Sequence, residues 1–171
     1  MNLAPATVSL SGNYSAGWAI LGGLIGGIAF LLVVYMGLMV GITRMNFLYI
    51  LGTMVTPGVS AGRAYLIGFM MHEMLAAGFG LAHAGILTAV DPSSVGAAAA
   101  WDLLIGAIHG VTILVAMPMM LTVMHPLVRN GRIERPGPAM IGFGPMTPMG
   151  SLAAHALFGL VAGAVYAAGV L

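Results

Sequence analysis

Four stretches of this chain are apolar for longer than a bilayer is thick. They run from about Gly17 to Ile42, Arg63 to Val90, Gly96 to Met124 and Met149 to Leu171. At about 1.5 Å of rise per residue, each covers the roughly 30 Å of hydrocarbon in a membrane. Beyond Arg63, at the edge of the second stretch, the only formal charges inside them are Glu73 and Asp102. Only 5% of the residues are Asp, Glu, Lys or Arg, and 60% are hydrophobic, whereas a soluble domain carries about 25% charged residues. The fold these features specify is all-α: an integral membrane four-helix bundle, with residues 1–171 as a single membrane domain. Its first partner is the lipid bilayer.

The same composition excludes several functions. A net charge of +1 with no cationic cluster argues against nucleic acid. The absence of Cys removes disulfides, thiolate metal sites and Cys nucleophiles. No Ser, His and acid stand at hydrolase spacing, and no phosphate-binding glycine loop is present. The opening "MNLAPATVSLSGNYSAG" lacks the basic region of a signal peptide and reads as a short, retained polar arm.

All cations are Arg, and their positions set an orientation. Arg44 and Arg63 flank the first loop; Arg129, Arg132 and Arg135 lie in the third. Four spans put these loops on one side, so the positive-inside rule predicts both termini outside. Trp18 and Trp101 fall at the opposite ends of spans one and three, where interfacial aromatics belong. In loop one, "MNFLYILGTMVTPG" (45–58) is too short to span; Asn46 and Pro57-Gly58 bound a short helix expected to lie in the interface. Loop three, "RPGPAMIGFGPMTPMG" (135–150), is rich in Pro and Gly, but its Met, Ile and Phe need burial, so it is expected to pack as an ordered lid. The turn Asp91-Pro92-Ser93-Ser94 starts span three.

Each later span gathers its polar groups at helical period. Span two presents Tyr65, Phe69, His72, Ala76, Phe79 and His83; span three Asp102, Gly106, His109, Ile113, Ala116 and Met120; span four Ser151, His155, Gly159, Ala162 and Tyr166. Polar groups facing lipid are costly, so these stripes are expected to meet inside the bundle. Counting from the inner ends, His72 and Glu73 lie about 14 Å deep, His155 about 9 Å and His109 about 22 Å. His83 and Asp102 both fall near 30 Å, as a separate pair at the outer rim. Glu73 is expected to pair with His155 or His109. Gly22, Gly23, Gly26 and Gly27, with Gly159 and Gly163, form GxxxG pairs that imply close helix packing.

Methionine is abundant, with 15 residues, many near the inner half of the spans, and Pro118 is expected to kink span three there. Met is an ordinary filler of apolar interiors. Thioether beside imidazole also suits Cu(I). The candidate metal set is His72, Glu73, His109, His155 and Met120. For a b-type haem, the candidate ligands are His72, His155 and His109, with Ala76, Gly106 and Gly159 leaving room. His125, before Pro126, is a weaker ligand candidate at a helix end.

The segments "YMGLMVGITRMNFLYILGTM", "MPMMLTVMHPLVRNG" and "PGPAMIGFGPMTPMGSLAAHALFGLVAGAVY" resemble a group of small bacterial four-helix membrane proteins of uncharacterised function. The resemblance covers spans one, three and four and both inner loops, with 144–166 its most specific part. It implies a four-span fold in a bacterial inner membrane and marks His125, His155 and the GPMTPMG turn; it implies no reaction, substrate or cofactor.

Three readings of function follow. One is a ligand site holding copper, another transition metal or haem between the spans. A second is an accessory subunit of a larger respiratory or photosynthetic membrane complex, or of a homo-oligomer. A third is a small proton-linked transporter or channel in which Glu73, His72 and His109 relay protons.

Overall fold

The computed structural model describes residues 9–171; the first eight residues of the expected polar arm lie outside it. Among the described residues the chain is helical and without strands. Four helices are long and apolar enough to cross a membrane: α1 (Ala16–Met39), α3 (Ala61–Val90), α4 (Val95–Met124) and α6 (Thr147–Val170). Between them lie α2 (Phe47–Val55) and α5 (Pro126–Arg129), and a 3₁₀ segment covers Pro138–Phe143.

The ends follow local chemistry. Ser15 accepts from the Trp18 N–H to start α1, and Ser94 from the Ala97 N–H to start α4. Asp91 closes α3 in the left-handed region, φ 54°. Its carboxylate accepts from the Ser11 N–H at 2.9 Å and the Ser9 hydroxyl at 2.7 Å, clamping the segment before α1 onto the α3–α4 turn. These donors hold the Asp91 carboxyl below its ordinary range. α4 runs unbroken through Pro118.

Glycine sets how the helices meet. α4 and α6 touch through Gly106, Gly110, Gly159 and Gly163, α1 and α6 through Gly22 and Gly26, and α1 and α3 through Gly23, Gly27 and Gly80. At Gly22, Gly23, Gly80, Gly106 and Gly159 the facing backbone lies where a Cβ would stand, so only glycine allows the approach, whereas Gly27 and Gly110 face side chains. In space the spans follow the order α3–α1–α6–α4. α3 and α4 are joined by a tight turn yet pack mainly on other partners. α2 does not float: Gly52 and Gly68 bring its backbone against α3, and Ile50, Leu51 and Thr53 are buried.

Loop three is fastened to loop one. The Arg44 N–H donates to the Phe143 carbonyl, its guanidinium donates to the Gly142 carbonyl at 2.8 Å and pairs with Glu134 at 3.0 Å, and Thr43 and Thr147 share a hydroxyl bond of 2.8 Å. Glu134 raises the Arg44 pKa further. Pro136, Met140 and Phe143 are buried beneath this clamp.

The predicted stripes hold on span four and need revision on α3 and α4. Span four buries Ser151, His155, Gly159, Ala162 and Tyr166 as expected. On α4 the buried line is Ala98, Asp102, Gly106, Gly110, Leu114 and Leu121. Ala116 faces outward, and His109 is half-buried at the edge of that line. The close approach through Gly106 and Gly110 turns the helix by about one position relative to the polar pattern. On α3, Tyr65 is exposed, while Gly68, Gly80, Ala84 and Leu87 join His72, Ala76 and His83 inside.

Candidate functional site

The ionisable groups of α3, α4 and α6 gather in the interior, in an order that differs from the expected one. His83 and Asp102 do pair: the His83 Nδ1–H donates to Asp102 Oδ1 at 2.7 Å. They are not at a rim. His83 is 3% exposed and Asp102 0%, because the Asp102 backbone is pressed against Gly159 and its side chain against Gly163. Nor is the pair separate. The His83 ring meets the His109 ring edge-on, centroids 5.5 Å apart, and His109 meets His155 in the same way at 4.9 Å. Asp102, His83, His109 and His155 therefore form one continuous row.

Backbone partners fix the tautomers along it. A carbonyl oxygen only accepts, so the His155 nitrogen 2.7 Å from the Ser151 carbonyl must be Nδ1–H, leaving the Nε2 lone pair free. With Asp102 as the carboxylate, which only accepts, the His83 proton sits on Nδ1, facing it, and Nε2 is free. His109 differs from both: its two ring nitrogens are buried and neither has a hydrogen-bond partner among the described residues. The ring is held by stacking on Phe79, centroids 4.0 Å apart.

His72 and Glu73 form a second group facing α1. The His72 Nε2–H donates to the Gly27 carbonyl at 3.0 Å, and Glu73 Oε1 lies 3.8 Å from the same nitrogen without a hydrogen bond of its own. The expected pairing of Glu73 with His155 or His109 is not found. Glu73 sits in the α1–α3 seam, where an ideal Cβ on Gly27 would stand 3.1 and 3.3 Å from its two oxygens. The missing side chain at Gly27 admits both neighbours to one spot on α1, although they point about 100° apart on their own helix.

His72, His109 and His155 line one cavity of about 80 Å³, with Phe30, Phe47, Phe79 and Phe158, Met45, Met117 and Met140. A smaller void of about 20 Å³ adjoins it, lined by Met45, Met54, Met117, Met120 and Met140. Met120, the thioether expected beside the histidines, lines only this second space. Met117, one turn nearer, and Met140, from loop three, take its place. Periodicity could not reveal Met140, which is on no span.

The geometry gives the haem expectation no support: the space of about 80 Å³ is smaller than the roughly 150 Å³ engineered cavity that takes a single benzene. The ring of Phe30 also packs on both His72 and His155, centroids 5.2 and 4.9 Å away. Among the described residues no three of His, Asp and Glu are grouped to hold a metal ion by themselves. His125 is not a ligand candidate either: its Nε2–H donates to the Ile50 carbonyl and its Nδ1 accepts from the Leu127 N–H, so it ties α2 to the start of α5.

No protein-family model, curated protein or solved structure matches the chain. Function is therefore to be sought in the chemistry of the site itself.

Proposed function

We propose that the protein moves protons within the bilayer, as a multi-pass protein of a bacterial cytoplasmic membrane with both chain ends outside. The orientation is supported by the arginines, all of which lie on or beside the α1–α3 and α4–α6 connections.

His109 carries the reading. A neutral imidazole has one N–H to donate and one lone pair to fill, and burying both unmet costs on the order of 1–3 kcal/mol per group. On either side of it stands an imidazole whose Nε2 lone pair is left free by a fixed bond at Nδ1. A proton on His109 thus has an acceptor to each side, and small ring rotations would hand it on. Asp102 anchors one end of the row. Across the cavity His72 leads to Glu73 at the other. Intramembrane chains of Asp, Glu and His act as proton relays because each imidazole can take a proton at one nitrogen and release one from the other. With Asp102 fully buried and the cavity small, the path is a relay and not a water-filled pore.

The test is proton uptake into liposomes carrying the purified protein, driven by a potassium diffusion potential and read by an internal pH dye. Wild type acidifies the lumen; His109→Leu and Asp102→Asn do not. His109→Leu is the sharper probe. It removes two unpartnered nitrogens, so it keeps or raises the melting temperature, and loss of uptake cannot be ascribed to misfolding. Uptake at the wild-type rate in His109→Leu rules the relay out.

A further inference from the structure

We infer that the imidazole-lined cavity is a binding site for a single soft monovalent metal ion of the Cu(I) class, held by His109 and His155 with the thioethers of Met117 and Met140. The ion site shares His109 and His155 with the proton row and adds the thioethers of Met117 and Met140, which the row does not use.

Four observations converge on it. First, size: about 80 Å³ accommodates an ion with a few waters. Second, donors: His155 gives its Nδ1–H to a backbone carbonyl, the outer bond that orients a ligating imidazole, and presents Nε2 unprotonated. His109 has both nitrogens uncommitted. Their ring centroids are 4.9 Å apart, close enough for two imidazoles to share one ion. Third, hardness: no three of His, Asp and Glu are grouped among the described residues. Zinc, which takes four such ligands or three plus water, is poorly served. Beside His72 and Ser151, the further donor-bearing residues lining the cavity are methionines, and thioether with imidazole selects Cu(I).

Fourth, backbone strain. Ala139 and Met140 are consecutive non-glycine residues in the left-handed region, φ 46° and 67°. Each such residue costs roughly 1–2 kcal/mol, and strain of this kind gathers where a site requires it. Its result here is that a loop residue is turned inward, so that Met140 is 3% exposed and lines both the cavity and the methionine-lined void beside α2. Ordinary filling of an apolar space would not need a strained loop to deliver the side chain.

The experiment is titration of the purified, detergent-solubilised protein with Ag(I), a redox-inert stand-in for Cu(I), by calorimetry and by elemental analysis after dialysis, with Zn(II) in parallel. One saturable Ag(I) per chain and no saturable Zn(II) is expected. Met117→Leu/Met140→Leu, nearly volume-conserving, weakens Ag(I) binding by about tenfold or more. His109→Leu does the same in a fold no less stable. Met70→Leu/Met74→Leu, on the exposed face of α3, leaves binding unchanged. Absence of saturable Ag(I) binding, or equal affinity in wild type and both cavity variants, overturns the site. The two proposals fail separately: Asp102→Asn abolishes proton uptake and leaves Ag(I) binding, whereas the double methionine variant loses Ag(I) binding and, assayed without metal, keeps proton uptake.

Discussion

Replacing Gly106 by Ala tests the α4–α6 seam on which the imidazole row depends. An ideal Cβ at Gly106 would overlap the His155 carbonyl oxygen and stand 3.1 and 3.2 Å from N and Cα of Gly159. All three are backbone atoms, so no side-chain rotation relieves the overlap. Carbon needs about 3.5 Å to such neighbours, and the helices must part by roughly 1 Å. Overpacking of this kind costs about 1–3 kcal/mol, and rigid backbone on both sides points to the upper end. Gly78 is the control. It lies in α3 with nothing within 4 Å of its would-be Cβ, and Gly→Ala there gains up to about 1 kcal/mol of helix propensity. That gain is common to both helical positions, so the two variants should differ by the overpacking cost, about 2–3 kcal/mol. At roughly 2–4 °C per kcal/mol for a chain of this size, Gly106→Ala melts several degrees below wild type in detergent, while Gly78→Ala melts at or above it. Proton uptake falls in Gly106→Ala alone, because His155 is carried away from His109. If the two variants melt together, α4 and α6 are not in backbone contact, and the row has no structural basis.

The remaining expectations concern the site's neighbours. His125→Phe strips the Ile50 carbonyl and the Leu127 N–H of their buried partner; it should cost about 2 kcal/mol or more, seen as a lower melting temperature, with Ag(I) affinity unchanged. A hydrophobic carbodiimide, followed by peptide mapping, should label Glu73 and spare Asp102, since their side chains are 13% and 0% exposed; equal labelling would deny that Asp102 is sealed inside. The Asp91 clamp has a defined pH range. Its folded pKa is depressed, so its contribution is complete above the ordinary carboxylate value near about 4 and is lost as pH falls through the lower folded value. Hydrogen exchange at the Ser11 amide should be flat from about pH 5 to 8, once corrected for intrinsic rate, and rise only in acid; Asp91→Asn should raise it throughout.

The spans were legible because a bilayer leaves few alternatives: long uncharged runs had to be helices, and the observed bounds lie within a few residues of the expected ones. That the later spans turn their histidines and Asp102 inward was also legible, from the cost of polar groups in lipid. Depth was less so. Counting rise from span ends placed His83 and Asp102 at a surface, whereas both are sealed within the bundle; each is about seven residues inside its helix end, or roughly 10 Å. The partner of Glu73 was not legible at all, since it depends on how α1 lies against α3. Met140 was hidden for a different reason: its position is set by a left-handed loop backbone, which leaves no periodic trace.

Glycine patterns, taken from sequence as signs of packing alone, do more in the assembled molecule. Gly27 faces Ala76 and the carboxylate of Glu73, and its carbonyl receives His72; Gly110 faces the His155 ring; Gly163 faces the Asp102 carboxylate. In each case the ionisable side chain occupies the space that a Cβ on the neighbouring helix would fill. The reason is energetic. In lipid a polar side chain must be covered, and a helix that comes close enough to cover it must give up its own side chain at that point. Helix approach and polar burial are then one requirement, which accounts for a chain with few charges keeping Glu73 and Asp102 inside its spans. It also separates these glycines from Gly78 or Gly85, which face open space. Enlarging Gly27 or Gly163 should disturb the protonatable groups before it disturbs the fold, a proton-uptake defect larger than the loss in melting temperature would account for; a defect that merely tracked stability would return these glycines to simple packing.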